Sequence, residues 1–81
     1  MLWKVGKKED YFYALNYEKE KERPFTLTLY FPYEWLGHKI CVKIGKYEIF
    51  KGALKSDKLK IEGFPCLNWK AVLRDLKIIK Y

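Results

Sequence analysis

Tyrosine and lysine carry most of the chemistry this sequence can offer. Tyr11, Tyr13 and Tyr17 fall in phase on one face of an extended segment, and Tyr30 lies on the outer face of the next strand if the two pair. Lys39 and Lys43 project together from a later strand, while Lys58, Lys60, Lys77 and Lys80 extend a basic rim. Flat rings on which bases stack, beside ammonium groups that neutralise phosphates, hold nucleic acid with little reading of its sequence. The expected partner is therefore nucleic acid, DNA or RNA. The same residues have an ordinary use, tyrosines as half-buried core edges and lysines as solubilising charge.

Other chemistry is thinly supplied. His38 is the single histidine and Ser56 the single serine, and neither sits in a motif that would activate a nucleophile or a general base. The glycines are isolated, so no phosphate loop or dinucleotide fingerprint is present. No catalytic residue is assigned, and neither an enzyme nor a cofactor is expected. Cys41, Cys66 and His38 make at most three soft ligands without a C-x-x-C pair, whereas a structural zinc site takes about four, so no metal is expected. The two cysteines read as buried free thiols, with a disulfide between them as the alternative.

A second class of function rests on tryptophan. Trp35 and Tyr33 stand in a corner after Pro32, and Trp69 follows Asn68. Exposed, they would suit an adaptor, accessory subunit or inhibitor docking onto a larger assembly. An edge strand at Leu2–Val5 or at the C-terminus would be another route to a protein partner. Trp69 reads more simply as a plug over an open barrel end.

These side chains depend on strands for their placement. Phe25, Leu27, Leu29 and Phe31 alternate against Thr26, Thr28 and Tyr30, the period of two of a half-buried strand. Ile40, Val42 and Ile44 alternate likewise, and Gly45-Lys46 has the glycine-first form of a type II′ turn leading into Tyr47–Lys51. Residues 25–52 thus read as a meander with one apolar face. Leu2–Val5, Tyr11–Tyr17 and Leu59–Glu62 are further strands, with polar turns at residues 6–10 and 53–58 and a charged loop at residues 18–23. Trp69–Tyr81 reads as a strand bent near Arg74-Asp75; the alternative is a helical turn capped by Asn68, with Trp69, Val72, Leu73 and Leu76 as its stripe. The expected class is all-β, or mainly β with one short helical turn: a small antiparallel barrel or meander of about six strands. In outline, residues 25–44 resemble the core of AbrB-type swapped-hairpin DNA-binding domains, which run from an apolar strand through a proline and a glycine to a second strand. Here Pro32 and Gly37 match, but the loop is short and His38 replaces the expected acid. Membership is not inferred.

Composition sets the frame. Eighty-one residues form one small domain, 1–81, whose core is thin. Aromatics reach 19%, which gives a small domain more burial per residue. Charge rests on Lys and Glu, and glutamine is absent, as in proteins from very hot environments. Net charge is +7, split as nine basic minus seven acidic in residues 1–50 and eight minus three in residues 51–81. No leader and no membrane-length apolar run is visible, so a cytoplasmic location without membrane contact is expected. Self-association as a homodimer stays open.

Overall fold

The computed structural model describes residues 2–18, 20, 24–62 and 68–81. Among the described residues, seven strands form two antiparallel sheets, with one short helix. β1 (Leu2–Lys8), β2 (Tyr11–Tyr17), β3 (Pro24–Tyr30) and β6 (Lys58–Glu62) make sheet A in the order β1-β2-β3-β6. β4 (Lys39–Ile44), β5 (Tyr47–Ala53) and β7 (Leu76–Lys80) make sheet B in the order β5-β4-β7, and α1 (Trp69–Asp75) leads directly into β7.

Alternation within each strand sets what is buried. Tyr11 and Leu15 of β2, Leu27 and Leu29 of β3 and Ile61 of β6 turn inward from sheet A. Ile40, Val42 and Ile44 of β4 and Leu76 of β7 turn inward from sheet B, and all of these side chains meet in one core. Leu54, on the link from β5 to β6, and Val72 of α1 join the same core. The apolar faces are thus covered without closing a barrel: the chain forms two sheets, a meander-like arrangement rather than the closed form.

The expected 25–52 meander is divided between the sheets. β3 belongs to sheet A, β4 and β5 to sheet B, and the chain crosses at the corner 31–38, where a 3₁₀ turn spans Tyr33–Trp35. Within that corner the Trp35 amide donates to the Pro32 carbonyl at 3.0 Å and the His38 amide to the Trp35 carbonyl at 3.0 Å. Period-two alternation reports which face is apolar, not which strand lies alongside. Phe25 also departs from its expected place. The register steps from Asn16↔Thr26 to Tyr17↔Pro24, leaving Phe25 as the extra residue of a bulge, exposed rather than in line with Leu27.

Three boundaries move. β1 continues to Lys8, so the first turn shrinks to Glu9-Asp10, with Glu9 at φ 55°, the left-handed region usually left to glycine. β5 reaches Ala53 and β6 starts at Lys58, shortening the turn expected at 53–58. The segment expected as a bent strand from Trp69 is helix up to Asp75. Its start is set by Asn68, whose Oδ1 accepts from the Ala71 amide at 2.7 Å, and its inward face by Val72. The Gly45-Lys46 turn keeps its expected form: Gly45 has φ 60°, and Lys46 is not in the positive region. Among the described residues no helix is long and apolar enough to cross a membrane.

Candidate nucleic-acid interface

β2 carries aromatic rings on both faces, and its neighbours decide which of them solvent reaches. Tyr11 is 1% exposed and packs against Phe31 with ring centroids 6.0 Å apart. Tyr13 is half-buried and crosses the strand pair to lie over Gly6, where an added Cβ would stand 2.5 Å from its hydroxyl. A cross-strand ring covering a glycine in this way fills the space its missing side chain leaves. Tyr17 stacks on Trp69 at 4.7 Å. The face expected to present three tyrosines therefore points into the core, and Tyr11 in particular has no surface to offer a base.

The outward face of sheet A carries exposed aromatics of its own. The register sets Lys7 opposite Phe12, Phe12 opposite Tyr30, and Tyr30 opposite Lys58, one row across four strands. Side chains opposite one another in an antiparallel pair share a face and stand about 5 Å apart. Phe12 is 53% and Tyr30 40% exposed, and the Lys7 Nζ lies 5.6 Å from the centre of the Phe12 ring. The next row runs Val5, Ala14, Thr28, Lys60, and the one after it Trp3, Asn16, Thr26, Glu62. Ala14 is the smallest side chain in this region, and above it lies a hollow of about 460 Å³, lined in part by Val5, Lys7, Phe12 and Tyr30. At the far end Asn16 is buried, and its Oδ1 has no hydrogen-bond partner among the described residues.

The expected lysines divide between two surfaces. Lys58 and Lys60 belong to the Phe12–Tyr30 face, with Lys60 3.3 Å from Glu62. Lys39, Lys43 and Lys77 lie on the outward face of sheet B with Lys51, so they are turned away from the aromatic rows. Lys80 shares the side of Ile40, and its Nζ lies 5.3 Å over the Trp35 ring. A single basic surface holding all six lysines is not what the fold makes.

The residues expected at a protein interface divide as well. Tyr33 is 76% exposed. Trp35 is half-buried and stacks on Phe31 at 5.5 Å, and Trp69 is half-buried between Tyr17 and the Lys4 ammonium, whose Nζ stands 6.0 Å from its ring. Cys41 is a buried free thiol, and Cys66 lies outside the described residues. His38 is exposed, and among the described residues no three of His, Cys, Asp or Glu gather as a metal site would require. Phe12, Lys7, Trp3 and Val5 are the members of the aromatic face that sequence reasoning passed over. The available signal was register: with a two-residue turn at Glu9-Asp10, Lys7 and Phe12 must oppose one another. Compared with models of known protein families and with curated proteins, the chain matches none.

Proposed function

We propose that the outward face of sheet A binds single-stranded nucleic acid, with Phe12 and Tyr30 stacking on bases and Lys7, Lys58 and Lys60 neutralising phosphates. The observation that carries this reading is the row Lys7–Phe12–Tyr30–Lys58, two adjacent exposed rings with an ammonium on either side. The hollow above Ala14 gives an unstacked base room beside the rings, and the net charge of +7 draws an anionic chain toward the protein. A duplex keeps its bases stacked on each other and suits such a platform less well.

The test is fluorescence anisotropy of labelled single-stranded DNA, single-stranded RNA and duplex DNA at two salt concentrations. Single strands are expected to bind, with affinity falling steeply as salt rises. Phe12→Ala and Tyr30→Ala are each expected to weaken binding about fivefold or more, since one base stack is worth roughly 1–3 kcal/mol. Tyr33→Ala, exposed at the corner between the sheets, is expected to change nothing. No binding at low salt, or equal losses for Tyr33→Ala and Phe12→Ala, would remove the proposal.

The second reading is a protein partner, and the exposure of Tyr33 together with the open edge of β1 favours it. Capture of a protein from host lysate that Tyr33→Ala abolishes and Phe12→Ala spares would move the function there.

A further inference from the structure

We propose that β1 is also a self-association edge, along which two copies of the chain pair antiparallel about Val5 and join their four-stranded sheets into one. This rests on the register of sheet A and not on the nucleic-acid reading.

The edge is long, regular and open. β1 ends the strand order of sheet A, and among the described residues no strand pairs with its far side. All seven of its residues pair with β2 without a register shift, whereas the β4–β5 ladder is interrupted between Val42 and Lys43. Lys8 and Tyr11 flank the two-residue turn and so form a hydrogen-bonded pair. Hydrogen-bonded pairs alternate along an antiparallel ladder, so Lys8, Gly6, Lys4 and Leu2 direct their backbone groups at β2. Trp3, Val5 and Lys7 then direct theirs outward, and Trp3 and Val5 are 58% and 67% exposed.

The usual guard is reduced on this edge. Natural edge strands repel strand addition with lysines that stand off into solvent. Here the Lys8 ammonium donates to the carbonyls of Leu73 at 3.1 Å and Leu76 at 2.7 Å, and Lys4 lies over the Trp69 ring. Lys7 leans onto Phe12. Lys8 is thus tied to its own chain, while Lys4 and Lys7, though exposed, lie over rings of their own chain.

The strand also complements itself. Pairing about Val5 sets Val5 against Val5 of the second copy, and Trp3 against Lys7 of the second copy in both directions. Each of these three positions is one whose backbone faces outward, so all three become hydrogen-bonded pairs. On the other face Lys4 meets Gly6 and Lys8 meets Leu2, so no lysine is set directly opposite another. The Trp3–Lys7 pairs place an ammonium against an indole, an attractive contact. The outward faces of the two copies become continuous, with a Phe12–Tyr30 pair on each half.

Sedimentation equilibrium of the full chain, without nucleic acid, tests this across a concentration series. A mass of twice 9.8 kDa that dissociates on dilution is expected. Val5→Pro removes an outward N–H, a position at which edge strands tolerate proline, and is expected to give a folded monomer by circular dichroism. Should that variant unfold, Val5→Glu sets two carboxylates opposite one another and is expected to raise the dimer dissociation constant at least tenfold. Monomer at every concentration overturns the proposal. So does a dimer that the folded Val5 variants leave intact, since it would be built on another surface.

Discussion

Tyr11 and Phe12 are neighbours in the chain and opposites in the fold. Both are aromatic and both stand on β2, and nothing in their types says which ring water will reach. The surroundings decide: Tyr11 faces Phe31 and the core, Phe12 faces Tyr30 and Lys7. Burial of Tyr11 has a measurable consequence. Its hydroxyl is pushed up to about 12, first by burial and then by the charges of Glu9 and Tyr13. An unfolded chain releases this proton near the ordinary value of about 10, whereas the fold holds it to higher pH. The contribution is complete below pH 10 and disappears as pH rises towards about 12, a loss on the order of 2–3 kcal/mol. Tyr11→Phe cannot ionise, so it is expected to lose less stability than the parent between pH 9 and pH 11. Urea midpoints at each pH measure the difference.

At the scale of elements, β2, β3 and β4 were legible because each combines strict alternation with a bounding turn or proline. The β4–β5 pairing was legible through the Gly45-Lys46 turn and the β2–β3 pairing through the charged loop. The pairing of β3 with β6 and of β4 with β7 was not, because alternation names a face and leaves the neighbour open. The split of β3 from β4 depends on the corner at residues 31–38. The helix was the least legible element, since Val72 and Leu76 satisfy a helical stripe and a strand alternation equally. A helix of seven residues is far below the length that persists alone, roughly 12–15 residues, so its ends and packing must hold it. Asn68 caps the start, and Lys8 binds the carbonyls of Leu73 and Leu76 at the finish. Asn68→Ala is expected to cost about 1 kcal/mol, and Lys8→Met about 1–2 kcal/mol through the lost charged donor. Chemical denaturation of each variant reads these values. An unchanged midpoint for Lys8→Met would mean that β1 and α1 are not joined by this contact.

For the whole molecule, the charge imbalance was visible in the sequence and its partition was not. Residues 51–81 hold an excess of five positive charges, eight basic minus three acidic, yet Lys51 and Lys77 go to sheet B while Lys58 and Lys60 go to sheet A. The two groups can be weighed at equal net charge. Replacing Lys58 and Lys60 together by alanine removes two charges, as does replacing Lys39 and Lys77. If the aromatic face is the site, the first pair is expected to weaken oligonucleotide binding about tenfold or more at low salt. The second pair is expected to weaken it less than about threefold, through the general field alone. Equal losses would point to attraction without a defined site. Of the candidate site, Tyr30, Lys58 and Lys60 were legible; Phe12, Lys7, Trp3 and Val5 were not, because their shared face exists only once β1, β2 and β3 are in register.

The position of β7 gives the order of synthesis a physical meaning. β4 and β5 leave the ribosome together and can pair at once, but the other side of β4 waits for Leu76–Lys80, which follow only after β6 and α1. Until those residues emerge, the nascent chain displays Lys39–Ile44 with one bare edge and its Ile40, Val42 and Ile44 side chains only partly covered. A premature stop before Leu76 would leave the same edge permanently open. The most deeply buried strand of sheet B would then become the most adhesive part of the protein.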